Sequence, residues 1–293
     1  MVTKIGQKVQ NFYNKTPFPD YELDWFNCKD DLINAGYPFA DILDRSIPPD
    51  AASIIDVGTG TGQLSAFLSL RRKCVWGIDF SEASLNKARK LKEKLKLDSW
   101  TLKHVNILDK KQIRDIGIKF DYVLCLGVLH HTGNAYQGFK NILELLKPGG
   151  YIAIGLYNKP GRIALKIRKL LAKTIFKNNN QIKDWFIRMQ IGDVKDKERA
   201  RGWWHDQYLH PHETTHTVGE VLKWFKKNNI QYYQSIPSLT PFSKENLEIN
   251  GVWNKFGEQY PYLPIRIYKQ LTWIWKIHHE GGYWITFGRK PLK

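Results

Sequence analysis

With 293 residues, 42% of them hydrophobic, the chain has room for one large α/β domain with insertions or for two small domains. No apolar run approaches the ~18 residues that span a bilayer, the opening MVTKIGQKVQNF has no signal-peptide core, and three cysteines without a Cys-x-x-Cys pair build no disulfide framework, so a cytoplasmic setting is expected. The net charge of +17 is concentrated in residues 158–293, which hold 24 Lys/Arg against 11 Asp/Glu, whereas residues 1–157 hold 21 against 17; such a field attracts phosphorylated small molecules, acidic lipid headgroups at the inner membrane surface or nucleic acid, or serves solubility alone.

In chain order, residues 1–50 are rich in aromatics and prolines, with Phe12, Tyr13, Pro17, Phe18, Pro19, Tyr21, Trp25 and Phe26. They read as a partly irregular lid segment with a helix near 30–45. Residues 51–157 form a core in which short apolar strands, predicted at 53–57, 74–78, 100–105, 122–126 and 151–157, alternate with helices at 62–70, 82–96 and 135–147. Pro148-Gly149-Gly150 stops the last helix. This alternation predicts a doubly wound α/β fold, with a parallel sheet covered on both faces.

Residues 158–216 break the pattern as a basic helical insertion. Over 161–177, Ile163, Ile167, Leu170, Leu171 and Ile175 share one helical face and Lys166, Lys169, Lys173 and Lys177 the other. The apolar face is expected to pack on the domain; the alternative is contact with a membrane surface or an acidic partner. Asn178-Asn179-Asn180 is expected as a loop. Residues 217–293 then give a helix at 217–228 with Thr217 as N-cap, and closing strands at 231–236 and 283–288. An aromatic-rich insertion at 238–281 separates those strands.

The most informative segment is Ile54-Ile55-Asp56-Val57-Gly58-Thr59-Gly60-Thr61-Gly62-Gln63-Leu64. A buried strand runs into a glycine turn and a helix, as expected where a nucleotide-like ligand sits at a strand's carboxyl end. A dinucleotide fingerprint would need glycine at position 63, where Gln63 stands, and a phosphate loop would need Gly-Lys-Ser/Thr. Asp56 would repel a pyrophosphate and attract an ammonium, so the loop suits a zwitterionic nucleoside without phosphates. Asp79 ends the next strand, where a carboxylate accepts both ribose hydroxyls, and the Asn106 side chain is placed to accept an adenine amine.

Asp56-x-Gly58-x-Gly60-x-Gly62, Gly77-Ile78-Asp79, Asn106, Phe120-Asp121-Tyr122, Leu129-His130-His131 and Leu146-Lys147-Pro148-Gly149-Gly150 follow in an order and at spacings that resemble the class I S-adenosylmethionine (SAM)-dependent methyltransferases over residues 53–157. The nearest type is the small-molecule and quinone-precursor methylases. The resemblance implies a Rossmann-like sheet, mostly parallel with an antiparallel closing strand, and SAM as cofactor. It implies that the Gly58, Thr59, Gly60 and Gly62 loop holds the methionine end, Asp79 the ribose, and Asn106 with Ile107 the adenine. Leu126 and Gly127 would approach from the fourth strand, and Gln63, Leu64, Phe80 and Ser84 complete the set. Many relatives have Asp where this chain has Asn106.

Methyl transfer from a sulfonium is an in-line displacement in which the enzyme aligns the acceptor and excludes water. A general base is needed only for a protonated acceptor; His130 or His131 is placed to serve, or the pair is structural. A second cluster, residues 203–216, offers Asp206, Tyr208, His210 and His212 as acceptor-pocket residues, with a polar hinge as the rival reading. Within it His212-Glu213-Thr214-Thr215-His216 matches the zinc-protease pattern, but it lies where a helix is only starting, and no metal is expected. Tyr13, Pro17, Phe18 and Tyr21 would close over the sulfonium, a cation that aromatic faces attract.

The expected function is methyl transfer to a small-molecule or lipid-linked acceptor, anionic in one variant of the reading. The alternative is RNA methylation by the basic half. It is the weaker reading, because Leu126-Gly127-Val128-Leu129-His130-His131 stands where amino-group methylases of bases carry Asn/Asp-Pro-Pro-aromatic, and Cys74 and Cys125 fall in predicted buried strands. A third reading is a non-catalytic SAM-binding protein.

Overall fold

The computed structural model describes residues 3–36, 38–49, 52–174, 180–191, 197–239, 251–253, 260–276 and 281–292. Its strands are β1 (Ser53–Val57), β2 (Cys74–Asp79), β3 (Trp100–His104), β4 (Phe120–Leu126), β5 (Leu146–Tyr157), β6 (Gln231–Ile236) and β7 (Tyr283–Arg289). They form one sheet in the order β3-β2-β1-β4-β5-β7-β6. The first five pair in parallel, and β7 runs antiparallel to both β5 and β6. The mostly parallel sheet with one antiparallel closing strand is therefore present.

Parallel strands buried on both faces carry apolar residues at every position, and β1 shows how this divides the core. Ile54 faces a cluster with Leu32 of α2 (Lys29–Asn34), Leu43 of α3 (Pro38–Ser46), Leu68 of α4 (Gln63–Ser69) and Leu91 of α5 (Glu82–Leu95). Ile55 and Val57 face the other side, with Ile113 of α6 (Lys110–Arg114), Phe139 of α7 (Ala135–Ile142) and Phe225 of α11 (Val218–Lys227). Thr217 caps α11 as expected, its hydroxyl accepting from the Glu220 N–H. Gly62 starts α4 at φ +86°, and a Cβ there would lie 2.4 Å from the buried Trp100 ring. Glycine is thus required by packing as well as by backbone.

Four regions differ from expectation. The helix expected over 135–147 ends at Ile142, and Pro148-Gly149-Gly150 lies inside β5. Residues Lys4–Lys15 form helix α1, capped by the Thr3 hydroxyl, where the sequence reads as irregular; the prolines that suggest irregularity begin only at Pro17, after the helix has ended. Beside α8 (Ile163–Thr174), which falls within the helix expected over 161–177, the insertions hold more helix than periodicity shows: α9 (Asn180–Ile191), α10 (Lys197–Trp204) and, within the aromatic insertion, α12 (Leu263–Lys276). Asn180 opens α9 and does not belong to a loop; Asn178 and Asn179 lie outside the described residues.

Finally, α8 is turned over. Ile163, Ile167 and Leu170 are exposed, whereas Arg162, Leu165 and Arg168 are buried, so the apolar face does not pack on the domain. The cause is a buried ion pair: Arg162 donates twice to Glu213, at 3.1 and 2.7 Å, and also to Gln207 and the Gly281 carbonyl. Ile175 and Lys177 lie outside the described residues.

Candidate cofactor and acceptor site

The carboxyl ends of β1, β2 and β4 border a cavity of about 1080 Å³. It lies where the strand order reverses between β1 and β4, the usual ligand position in such sheets. At the upper end of the roughly 300–1,000 Å³ common for small-molecule sites, it has two chemically distinct ends.

The first end is built from the glycine loop and the strand carboxylates. Asp56, Gly58, Thr59, Gly60, Gln63, Leu64, Asp79, Phe80, Ser84, Asn106, Ile107, Leu126 and Gly127 all line it. Gly62 does not, because it is committed to the Trp100 contact. Asp79 accepts the Gly60 N–H at 2.8 Å on Oδ2 and the Ser81 N–H at 2.7 Å on Oδ1. Each oxygen keeps a lone pair for a further donor, which fits a pair of vicinal hydroxyls. Burial raises its pKa against those two N–H donors. Asp56, buried with its Oδ2 accepting from the Thr59 hydroxyl at 2.7 Å, is pushed up to about 6 by desolvation.

Asn106 lines this end beside Ile107. Its Oδ1 accepts the Leu108 N–H at 3.0 Å, closing a turn of the kind Asn side chains favour. The same oxygen keeps a second lone pair for a further donor.

The N-terminal segment covers this end. Within α1, Gly6, Val9, Gln10 and Tyr13 recur at helical spacing and line the cavity. Gln10 donates to the Phe80 carbonyl at 2.9 Å, and Asn14 accepts from the Ser81 hydroxyl at 2.8 Å. Phe18 and Pro19 also line the cavity, and the Phe18 carbonyl would lie 2.2 Å from a Cβ at Gly60, so only glycine permits the approach. Tyr21 sits deeper, fully buried, its hydroxyl donating to the Thr61 carbonyl at 3.0 Å. The helical spacing of Val9, Gln10 and Tyr13 was the available signal for this wall.

The second end is bordered by Phe39, Val128, His131, Tyr157, Asp206, Gln207, Ile236, Tyr283 and Ile285. Asp206 accepts the Tyr13 hydroxyl at 2.8 Å on Oδ1 and the Gln207 amide at 2.8 Å on Oδ2. Gln207 also donates to the Tyr157 hydroxyl at 2.7 Å, and Arg162 lies over the Tyr157 ring at 3.5 Å. Among the described residues no lysine or arginine forms an ion pair with Asp206. The cations lining the cavity, Lys110 and Lys111, belong to the Asn106–Asp109 edge of the first end.

His131 Nδ1 lies 3.0 Å from the His212 carbonyl. A carbonyl only accepts, so Nδ1 carries the hydrogen and the neutral ring keeps its lone pair on Nε2. Burial lowers the pKa of His131 to about 4, so the ring is neutral near pH 7.

The other expected pocket residues lie elsewhere. His130 is fully buried between the His131 and Tyr157 rings, with centroids at 4.2 and 4.0 Å, and among the described residues neither of its nitrogens has a partner. His210 packs behind His131 at 3.7 Å, and His212 Nε2 contacts the Thr132 carbonyl at 3.1 Å. Tyr208 stacks flat on Trp204 at 4.0 Å in a separate cluster with Phe186. None of these four lines the cavity. They brace His131 or the insertion, because a π-helical turn at His205–Leu209 sends Asp206 and Tyr208 in different directions.

The His212–His216 segment is not helical, so its imidazoles are not placed one helical turn apart. Glu213 binds Arg162 and Lys169, and His216 binds Glu220. None of the three cysteines lines the cavity, and burial pushes the Cys125 thiol up.

A family model described as "Methyltransferase domain" matches residues 49–229, more than half of the chain. A ubiquinone biosynthesis O-methyltransferase of Coxiella burnetii (strain Dugway 5J108-111) is 27% identical over 146 residues, covering 48% of this chain and 60% of that protein. One of Dechloromonas aromatica (strain RCB) is 31% identical over 121 residues, covering 41% and 50%. The chain thus spans about 50–60% of the length of these curated relatives. The structure of PKMT2 from Rickettsia typhi, also solved in complex with AdoHcy, superposes with a TM-score of 0.56 at 17% identity, covering 86% of this chain and 52% of that one. With the glycine loop, the strand carboxylates and the sheet order in agreement, the chain belongs to the class I SAM-dependent methyltransferase family, whose cofactor is S-adenosylmethionine.

Proposed function

We propose that the chain transfers a methyl group from SAM to a hydroxyl- or amine-bearing small molecule with a partly apolar body. One observation carries this reading: a single cavity joins the Asp56/Asp79 end to an end holding His131, Asp206 and apolar walls. The residues at the first end fit the cofactor. Asp79 has lone pairs free for ribose hydroxyls, the glycine loop leaves the backbone open, and Asp56 offers a carboxylate to an ammonium.

When bound, SAM supplies an electrophilic methyl on a good leaving group, so the chain's own residues chiefly align and desolvate. Phe39, Ile236, Tyr283 and Ile285 bury the acceptor's apolar body. In this reading His131 Nε2 takes the proton of the attacking O–H or N–H as the methyl bond forms in line. Tyr13, held by Asp206, closes the site over the reacting atoms. Among the described residues no lysine or arginine lines this end, Arg162 lying behind Tyr157, so an acceptor's negative charge would lie away from its reacting group. Peripheral contact of the basic C-terminal half with an acidic surface is part of the same reading.

The test is transfer of label from radiolabelled SAM during incubation with cell extract. Label is expected in small organic-soluble molecules; label in RNA alone, or absence of SAM binding beside uptake of NAD or ATP, would overturn the proposal. A pH series adds a second check. Below its pKa of about 6, Asp56 is neutral and no longer attracts the ammonium. SAM affinity measured by calorimetry should therefore be flat above about pH 7 and fall as pH drops through about 6. A pH-independent affinity down to pH 5 would remove Asp56 from the role.

A further inference from the structure

Arg162, fully buried, fixes the direction of every hydrogen bond around the second end of the cavity. A guanidinium only donates. Its Nη1 donates to Gln207 Oε1 at 2.6 Å, and its Nε and Nη2 donate to Glu213. Gln207 must therefore turn its oxygen toward Arg162 and its NH₂ group the other way. There the two hydrogens reach the Tyr157 hydroxyl oxygen at 2.7 Å and Asp206 Oδ2 at 2.8 Å. Since the Tyr157 oxygen accepts from Gln207, its own hydrogen points elsewhere, and among the described residues no group accepts it. Tyr157 lines the cavity. Burial raises its pKa over the opposing pull of Arg162, so the phenol keeps that hydrogen at neutral pH.

Its neighbours are wired the opposite way. The Tyr13 hydrogen is spent on Asp206 Oδ1 and the His131 Nδ1 hydrogen on the His212 carbonyl. What remains is His131 Nε2 and the spare lone pairs of Asp206, all of them acceptors. Tyr157 thus presents a donor beside two groups that can only accept.

We propose that Tyr157 is a specificity-determining residue, donating its hydrogen to a neutral oxygen that the acceptor carries on the carbon next to its reacting O–H or N–H. The proposal rests on the methyl-transfer reading above, and Gln207 is the positioning residue that keeps the donor turned outward. The oxygen is neutral because Asp206 shares the Gln207 amide with Tyr157, so a carboxylate there would meet like charge. The Arg162 charge is already committed to Glu213. A carbonyl, ether or hydroxyl oxygen meets no such repulsion. The His131 and Tyr157 ring centroids lie 5.8 Å apart, so groups on neighbouring carbons of one small molecule reach both. A molecule without the second oxygen would leave the buried phenol hydrogen unpaired and bind less well.

The experiment takes the labelled product formed from radiolabelled SAM and cell extract, reads its structure by tandem mass spectrometry, and uses the same extract fraction as substrate for variants. The methylated atom is expected to have a neutral oxygen on the next carbon. Tyr157→Phe should raise the apparent KM for the fraction about tenfold, with kcat and SAM affinity nearly unchanged. Gln207→Glu keeps the side-chain shape but puts an oxygen where the NH₂ stood, so Tyr157 turns its hydrogen onto the new carboxylate. KM should rise here too, and on this background Tyr157→Phe should add nothing. A tyrosine that merely packs would contribute the same factor on both backgrounds. Should Gln207→Glu fail to fold, Tyr157→Phe and the product structure decide between them. A product without that oxygen, an unchanged KM in Tyr157→Phe, or a factor that persists beside Gln207→Glu overturns the assignment and leaves methyl transfer standing. Absence of any labelled product overturns the methyl-transfer reading and this proposal with it.

Discussion

Asp79→Asn will weaken SAM binding by about two orders of magnitude. The carboxylate is anchored by the Gly60 and Ser81 N–H groups and has one lone pair free on each oxygen. Two charge-assisted hydrogen bonds to ribose hydroxyls contribute about 1.5–3 kcal/mol each. Asn retains one acceptor and turns an NH₂ group toward a backbone donor, so roughly 3 kcal/mol is at stake, or about a hundredfold in Kd. Calorimetric titration of wild type and variant with SAM reads this directly. The unfolding midpoint without ligand separates lost binding from a disturbed loop. Unchanged affinity in a folded variant would mean that this end of the cavity does not hold the ribose.

The second large effect is expected at His131. Its Nδ1–H is spent on the His212 carbonyl and its ring is neutral near pH 7, so Nε2 is a ready acceptor at the cavity wall. His131→Asn should lower kcat by roughly 10²–10⁴-fold, the usual size of a general-base contribution, with SAM affinity nearly unchanged. The pH profile gives the sign. Protonation below about 4 removes the lone pair, so wild-type kcat at saturating SAM should fall as pH drops through that value, separately from the loss of SAM affinity that Asp56 brings near 6. The variant should lack that acid limb. A variant with unchanged kcat would leave alignment and desolvation as the whole of the catalysis.

The parts of the fold legible in the sequence were those fixed by local pattern. The Ser53–Val57 strand, the glycine turn and the Glu82–Leu95 helix declare themselves through a short, mostly apolar run, backbone demands and capping. Asp79 is placed by the end of its strand, and no tertiary information is needed. What stayed hidden depends on long-range partners. The burial of Arg162, which turns α8 inside out, requires Glu213 from 51 residues away. Asp206 and Tyr208 part because His205–Leu209 is a helical turn, on which residues two apart do not share a face, and no apolar period in 203–216 announces that turn. Tyr157, Gln207 and Tyr283 reach the second end of the cavity from three separate segments, and the sequence offers no pattern that brings them together.

The hydrogen bond from Tyr13 to Asp206 has a kinetic consequence. One short helix both roofs the nucleoside compartment, through Gln10 and Asn14, and completes the opposite compartment, through Tyr13. Whatever unclasps that helix opens both chambers together. Both products should then leave only after that motion, and the speed of unclasping should set the steady-state rate whenever the chemistry is fast.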